Sequence, residues 1–164
     1  MFPVIARVKT HVIVHYLMNI PCILLVEDNP DDVLLTQCAF EDAAISNPVY
    51  VVESAEEAIA YLSGEGQYAD RDRFPLPDLL LMDLGLPGKS GHDVLIWIQD
   101  RAELDGLVKV VLTGSDDPKN LKRAYELGAH CYLLKPLTAN QLTDPGRNIR
   151  ALFTLTRQLL AEAA

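Results

Sequence analysis

The chain is poor in cysteine and contains no pair of cysteines at the short spacing of a redox or metal-binding motif. Its three cysteines, Cys22, Cys38 and Cys131, are odd in number and far apart among 164 residues. A framework of paired disulfides is therefore disfavoured. Cys22 and Cys131 also fall within short apolar runs, so the pattern predicts buried thiols in a reducing cytoplasm.

Positive charge is also scarce. Lysine and arginine together number 14, against 23 aspartate and glutamate residues, and the formal net charge is -9. This balance argues against nonspecific binding to nucleic acid or to an anionic membrane surface, and we expect neither as a partner. The excess of acidic residues suits the binding of a divalent cation. A contribution to solubility alone explains this excess equally well.

Long hydrophobic runs are missing, although 49% of the residues are hydrophobic, which is enough for the core of one domain. The most apolar stretch near the N-terminus is interrupted by His15, Asn19 and Pro21, so it is too short to span a bilayer. No small-residue cleavage site follows it, which disfavours a signal peptide. We expect residues 1–19 to be an N-terminal extension. A natural start at Met18, an extra strand and a dimer-forming arm remain open alternatives.

What the sequence does contain is a series of short apolar runs, four of which end on polar residues suited to phosphate chemistry. Short apolar runs between turn residues and helical stretches are typical of buried parallel strands. The four polar ends are Glu27-Asp28, Asp83, Thr113 and Lys135. Ligands of open parallel sheets bind beyond the carboxyl ends of the strands. The sequence therefore predicts three carboxylates, a hydroxyl and a lysine at one edge, as in a magnesium site with a phosphorylatable aspartate.

Strand and helix patterns alternate along the rest of the chain, without repeats or low-complexity segments. Five such units predict an α/β domain with a doubly wound, five-stranded parallel sheet. The predicted strands are 21–27, 49–53, 78–83, 107–112 and 130–134, and the predicted helices are 30–45, 54–64, 91–102, 115–128 and 138–161. Asp144-Pro145-Gly146 should kink or break the last helix. We expect residues 64–77 to form a mobile polar insertion, with a contact surface as the alternative.

The motifs at the strand ends resemble those of the receiver domain of two-component response regulators. They are Ile23–Asp32 (ILLVEDNPDD), Asp78–Pro87 (DLLLMDLGLP), Val110–Gly114 (VVLTG) and Gly128–Pro136 (GAHCYLLKP). The resemblance covers about residues 20–160, so we assign 20–164 to a receiver domain. It implies the flavodoxin-like strand order 2-1-3-4-5 with helices on both faces of the sheet.

The same resemblance implies a role for each residue at the edge. Asp83 would accept the phosphoryl group, and Asp28 would be a direct Mg²⁺ ligand. Glu27 stands where many relatives carry a second aspartate, so it would reach the metal directly, through water or not at all. The Gly85 carbonyl would be a further ligand. Thr113 would bond a phosphoryl oxygen, and Lys135 would form an ion pair with the phosphate. The Lys135-Pro136 peptide would be cis. Tyr132 would be either an aromatic switch residue or a half-buried core tyrosine.

Asp31 and Asp32, by contrast, have a simpler explanation in the first turn of a helix. Carboxylates there interact favourably with the helix dipole, and we therefore expect them to be helix acids rather than ligands.

These implications together predict a stand-alone response regulator. A sensor histidine kinase would phosphorylate it in the cytoplasm with Mg²⁺ as cofactor. The Asn29–Asp32 sequence and the long loop resemble receivers that accompany phytochrome-type kinases, so we expect a kinase of this type. Because no DNA-binding domain follows residue 161, output would occur through protein contacts. We also expect a homodimer through the helix 4–strand 5–helix 5 face, where the last helix offers Ile149, Leu152, Phe153, Thr156, Leu159 and Leu160.

Three different functions compete with this one. A phosphohydrolase of the haloacid-dehalogenase type also uses a strand-end aspartate and magnesium. It needs a second acid two residues later, where this chain has Gly85. The remaining two are a phosphorelay intermediate without output of its own and a degenerate receiver that serves only as a scaffold. We expect a signalling protein rather than an enzyme, with slow self-dephosphorylation at most.

Overall fold

The structure, a computed structural model, describes residues 20–144. Strands and helices alternate along this part of the chain, as the sequence predicted. The strands are β1 Ile23–Val26, β2 Val49–Val52, β3 Leu79–Asp83, β4 Val108–Thr113 and β5 Cys131–Leu134. The helices are α1 Pro30–Asp42, α2 Ala55–Ser63, α3 Gly91–Gln99, α4 Pro118–Glu126 and α5 Ala139–Thr143.

The five strands form one parallel sheet in the order β2-β1-β3-β4-β5. This arrangement confirms both the fold class and the strand order that the sequence and its resemblance implied. The order reverses between β1 and β3, which both emerge from the middle of the sheet. A doubly wound sheet opens a crevice at such a reversal, so the polar ends of β1 and β3 lie where ligands bind in this architecture.

Apolar side chains project from both faces of the sheet, and different helices pack on each face. On one face, Leu24, Leu80 and Met82 belong to a core formed with α2 and α3. On the other face, Leu25 and Leu81 pack with α1 and α5. All residues of β1 and β3 are buried. This two-sided burial explains why these strands read as continuous apolar runs rather than as an alternating pattern.

The prediction for the cysteines is only partly correct. Cys22 is buried, whereas Cys131 is half-buried and Cys38 is exposed. Cys38 lies on the solvent side of α1, where its helical position rather than its hydrophobicity decides its exposure. Burial raises the pKa of the Cys22 thiol to about 12, so this cysteine stays protonated at neutral pH.

The segment 64–77 is not the loose polar insertion that its composition predicted. Tyr68, in the short 3₁₀ helix Gly66–Tyr68, is buried with only 8% of its surface exposed. Its ring lies 5.1 Å from that of Tyr61 on α2 and 5.2 Å from that of Phe74. Arg71 donates hydrogen bonds to the carbonyl oxygens of Tyr61 (2.7 Å) and Leu62 (2.8 Å), which are the end of α2. The segment therefore packs on the domain and caps a helix.

Several sequence predictions fall on residues outside the described part of the chain. These are the N-terminal extension 1–19, the last helix beyond Asp144, Pro145-Gly146 of the predicted break and the apolar residues from Ile149 to Leu160. Asp144, the first residue of that break, is described and follows the end of α5 in an extended conformation. Within residues 20–144, none of the helices has both the length and the hydropathy that crossing a bilayer requires.

We predict that Arg71 fastens the segment 64–77 to α2. In the Arg71→Met variant, the free energy of unfolding should fall by about 1.5–3 kcal/mol, the range for hydrogen bonds to a charged group. Chemical denaturation measures this change, and chymotrypsin should cleave the segment faster. Arg73→Met is the control, because the Arg73 guanidinium lies over the Phe74 ring at 5.1 Å, and within residues 20–144 this cation–π contact is the interaction its side chain makes. Equal stability of the two variants would contradict the prediction.

Candidate functional site

The parallel sheet brings together the polar residues at its carboxyl edge. Asp83 and Thr113 are the last residues of β3 and β4, and Glu27 and Lys135 directly follow β1 and β5. The backbone links the two outer positions, since the Lys135 amide donates to the Thr113 carbonyl at 2.8 Å. The predicted convergence of these strand ends at one edge is confirmed.

The centre of the site is the ammonium group of Lys135. Its Nζ lies 2.5 Å from Glu27 Oε2, 2.7 Å from Asp83 Oδ2 and 3.0 Å from Asp32 Oδ2. The side chain of Lys135 is only 16% exposed. An ammonium group has three N–H donors, and here three carboxylates from β1, β3 and α1 surround it. The Lys135-Pro136 peptide is cis, as the resemblance implied.

Asp32 is the residue of this site that sequence reasoning missed. It was expected to act only as a helix acid in the first turn of α1, but its Oδ2 bonds Lys135 Nζ. The signal that could have found it is the short distance in sequence between β1 and α1. Since α1 begins at Pro30, only three residues after β1, its first turn must lie against the same edge of the sheet. Asp31, by contrast, is exposed, as a helix acid would be.

Glu27 is fully buried at the side chain, which is unusual for a carboxylate. Its Oε1 accepts a hydrogen bond from the Asn29 amide at 3.1 Å. Its Oε2 lies close to Lys135 but outside hydrogen-bonding angles, so this contact is an ion pair rather than an aligned hydrogen bond. Burial raises the pKa of Glu27 above its ordinary value, and Lys135 and the Asn29 amide offset only part of that effect.

The pKa of Lys135 is shifted upward. Burial alone would lower it, because a buried ammonium loses hydration. The attraction of the carboxylates of Asp83, Glu27 and Asp32 outweighs burial and holds the pKa above its ordinary value. Lys135 is therefore a permanent positive charge at this edge in the neutral pH range.

Glu27, Asp28 and Asp83 form a cluster that fits a divalent cation. One carboxylate oxygen from each residue lies within 4.8 Å of the other two. Asp28 is exposed, so the cluster opens to solvent on one side. Oxygen ligands on one or two carboxylates, completed by water, are the donor set that Mg²⁺ prefers. The unaligned Oε2 of Glu27 also shows that this buried oxygen has spare acceptor capacity.

Small residues shape the surroundings of Asp83. The Gly85 amide donates to Asp83 Oδ1 at 2.8 Å, which fixes the carboxylate at the end of β3. A Cβ on Gly85 would lie 3.5 Å from that oxygen, an ordinary van der Waals contact. A Cβ on Gly91 would lie 2.8 Å from the Asp83 carbonyl oxygen, closer than real Cβ contacts. Gly91 therefore lets α3 begin directly against the site.

The Thr113 hydroxyl reaches the edge of the sheet but is engaged elsewhere. It donates to the Ser115 carbonyl at 2.6 Å and accepts from the Ser115 amide at 3.1 Å. A hydroxyl has one hydrogen, so Thr113 does not donate to the carboxylates in this arrangement. Tyr132 is half-buried against the core, and its ring lies 6.2 Å from that of Tyr125 in an edge-to-face contact.

Comparison with known proteins identifies this arrangement of strand ends. The sequence matches the model of the response regulator receiver domain over residues 23–145. The chain belongs to the response regulator receiver family. This membership agrees with the strand order and with the acidic cluster at the carboxyl edge of the sheet.

Individual relatives resemble this receiver over most of its length. The response regulator Rcp1 of Synechocystis sp. is 33% identical over 82% of this chain and 83% of its own length. The structure of the Mn²⁺-bound form of Rcp1 matches with a TM-score of 0.64 and 32% identity, over 85% of this chain and 91% of that one. The phosphorylated cyanobacterial phytochrome response regulator RcpA matches with a TM-score of 0.69 and 35% identity, over 83% and 95%.

We predict that Lys135 stabilises this receiver when no divalent cation is present. In EDTA, Lys135→Met should lower the free energy of unfolding by about 3 kcal/mol, because removing one partner leaves buried carboxylates without a counter-charge. Saturating Mg²⁺ should then stabilise the variant more than the wild type, since the cation supplies that charge. Denaturant unfolding with EDTA and with Mg²⁺ measures both effects.

Lys122→Met is the matched control for this prediction. Lys122 forms an exposed ion pair of 3.8 Å with Glu126 on α4, and such pairs contribute about 1 kcal/mol or less. The free energy of unfolding of this variant should lie within about 1 kcal/mol of the wild-type value, and its response to Mg²⁺ should equal that of the wild type. The prediction is wrong if the Lys135 variant behaves like this control.

Proposed function

We propose that this protein is a stand-alone response regulator that accepts a phosphoryl group on Asp83 from a sensor histidine kinase. The observation that carries the proposal is the environment of Asp83. Its side chain stands at the end of β3, only 10% exposed, with Gly85 N–H on one carboxylate oxygen and Lys135 Nζ on the other. A positioned carboxylate beside a fixed cation is what a carboxylate nucleophile toward phosphate requires.

The transfer would proceed by attack of an Asp83 carboxylate oxygen on the phosphorus of a phosphohistidine. A P–O bond forms while the P–N bond breaks, and its electron pair leaves with the imidazole of the kinase. Lys135, already 2.7 Å from Asp83 Oδ2, would pair with the phosphoryl oxygens. Thr113 would turn its hydroxyl from Ser115 toward the same group. Burial and fixed charges at this edge make each of these contacts stronger than in water.

Mg²⁺ is the cofactor that we propose, held by Asp28, Asp83, Glu27 and the carbonyl of Gly85. When bound, it would neutralise the charge that develops on the transferring phosphoryl group. The carboxylate cluster and the open side at Asp28 support this assignment. The buried position of Glu27 favours its participation, since its oxygen belongs to the same cluster.

Two features support a phosphodonor kinase and a cellular compartment for this receiver. Relatives such as RcpA belong to phytochrome signalling by name, and we therefore propose a phytochrome-type histidine kinase as phosphodonor. The acidic charge and the lack of cysteine pairs fit the cytoplasm. Output would pass through protein contacts rather than through nucleic acid or the membrane.

The proposed phosphorylation has a direct test. Incubation with acetyl phosphate and Mg²⁺ should give an acid-stable, base-labile adduct on the wild type. Asp83→Asn should abolish it, because an amide is not a nucleophile toward phosphorus, and EDTA should suppress it. Asp105→Asn, which changes an exposed aspartate away from the site, is the control and should label normally.

Two results would overturn the proposal. Equal labelling of Asp83→Asn and the wild type would show that Asp83 is not the acceptor. Repeated turnover of phosphomonoesters would favour a hydrolase instead, although Gly85 stands where that chemistry needs a second acid.

We further propose a homodimer through the face of α4, β5 and α5. Tyr125 on this face is 46% exposed, and the sequence predicts a broad apolar surface on the last helix from residues that lie outside the described part of the chain. Gel filtration with and without the phosphate mimic beryllofluoride should show a dimer, strengthened by the mimic. A monomer of unchanged size under both conditions would contradict this prediction.

A further inference from the structure

The three carboxylates around Lys135 differ in what else they can bind. Glu27 and Asp83 each place an oxygen in the candidate metal cluster, together with Asp28. Asp32 bonds Lys135 at 3.0 Å and lies outside that cluster. Of the three carboxylates that surround Lys135, Asp32 is therefore the one outside the candidate metal cluster.

Asp32 is also fixed in place by its own helix. The side chain of Asn29 caps α1 by accepting from the Asp31 amide at 2.9 Å, and Pro30 occupies the first turn. Phe40 buries the other end of the helix against the sheet. The Asp32 side chain is 28% exposed, so it remains partly shielded from water next to Lys135. A carboxylate on such a rigid element can hold a flexible lysine at a defined point.

Two positive charges must share this edge if the protein works as proposed. A divalent cation at Glu27, Asp28 and Asp83 repels the ammonium of Lys135 and competes for two of its three partners. Lysine has a flexible stem and a strongly hydrated head, so before the phosphoryl group arrives a lysine without another anion would turn out into solvent. The phosphoryl group would then lose its fixed cation.

We propose that Asp32 is a positioning residue that keeps the Lys135 ammonium beside Asp83 while the metal is bound. This inference rests on the proposed function, because it assigns Asp32 a part in the same phosphorylation. Asp32 itself forms and breaks no covalent bond. It acts through Lys135, which would donate two N–H groups toward Asp83 and the phosphoryl oxygens and keep the third on Asp32.

A double-mutant cycle on stability tests the pairing without any phosphorylation. The variants are Asp32→Asn, Lys135→Met and both together, each melted in EDTA and in saturating Mg²⁺. The effect of Asp32→Asn on Tm should be more unfavourable with Lys135 present than without it, by about 2 °C or more. This difference should persist in Mg²⁺, whereas the corresponding difference for Glu27→Gln should shrink. Loss of the Asp32 difference in Mg²⁺ would overturn the proposal.

Phosphorylation kinetics then test the consequence for the reaction. With acetyl phosphate and Mg²⁺, Asp32→Asn should slow adduct formation by about tenfold, less than removal of a transition-state donor costs. It should have no further effect in the Lys135→Met background. Asp31→Asn, its exposed neighbour in the same helix turn, is the control for helix charge and should react like the wild type. Asp32→Glu should restore part of the rate.

The outcomes separate this inference from the proposed function. A wild type that takes no label refutes the phosphorylation, while the stability cycle still decides whether Asp32 holds Lys135. A labelled wild type with an equally fast Asp32→Asn variant refutes the role of Asp32 alone. An equal slowing by Asp32→Asn in both backgrounds also refutes it, since Asp32 would then act by its charge and not through Lys135.

Discussion

The carboxyl edge of the sheet depends on the ammonium of Lys135. Carboxylates from β1, β3 and α1 converge there, and without a counter-charge they would repel one another and resist ionisation. The ammonium supplies that charge and orders the three side chains around one point. Because each carboxylate comes from a different element, the same ion also ties the end of β5 to the opposite half of the sheet.

The core beneath the site fixes the positions of its side chains. β1 and β3 are buried on both faces, so a slip of one residue in their register would exchange two fully packed sets of side chains. That cost fixes Glu27 and Asp83 beside each other at the end of neighbouring strands. Gly91 provides the space at the Asp83 backbone that a larger residue would fill.

The sequence predicted the parts of the site that follow from buried strands. Apolar runs locate a parallel strand and its end, so the amino-acid pattern alone was enough to place Glu27, Asp83, Thr113 and Lys135 at one edge. Asp32 could not be placed in the same way, because a first-turn acid already has a sufficient local explanation in the helix dipole. Its contact with Lys135 spans 103 positions of sequence, and only the fold brings them together.

Further differences between prediction and structure have the same origin. The polar composition of 64–77 gave no sign that Tyr68 and Phe74 would pack on Tyr61 or that Arg71 would cap α2. In this segment, several contacts with α2 override the local pattern. The orientation of the Thr113 hydroxyl toward Ser115 depends instead on the backbone of one turn, which hydrophobic periodicity does not specify.

The choice of lysine at position 135 follows from these contacts. An arginine would present a planar fork that suits one carboxylate bidentately, whereas the ammonium can serve three oxygens from three directions. Its flexible stem also lets the charge shift between Asp83 and a phosphoryl oxygen without a change in backbone. The Lys135 amide is bonded to the Thr113 carbonyl at 2.8 Å, so the backbone at Lys135 is joined to the end of β4. The hydroxyl of Thr113 in turn holds Ser115, at the start of the loop that leads into α4. Asp83 is therefore connected, through contacts of Lys135, Thr113 and Ser115, to the loop before α4, on the face at which we propose that partners bind.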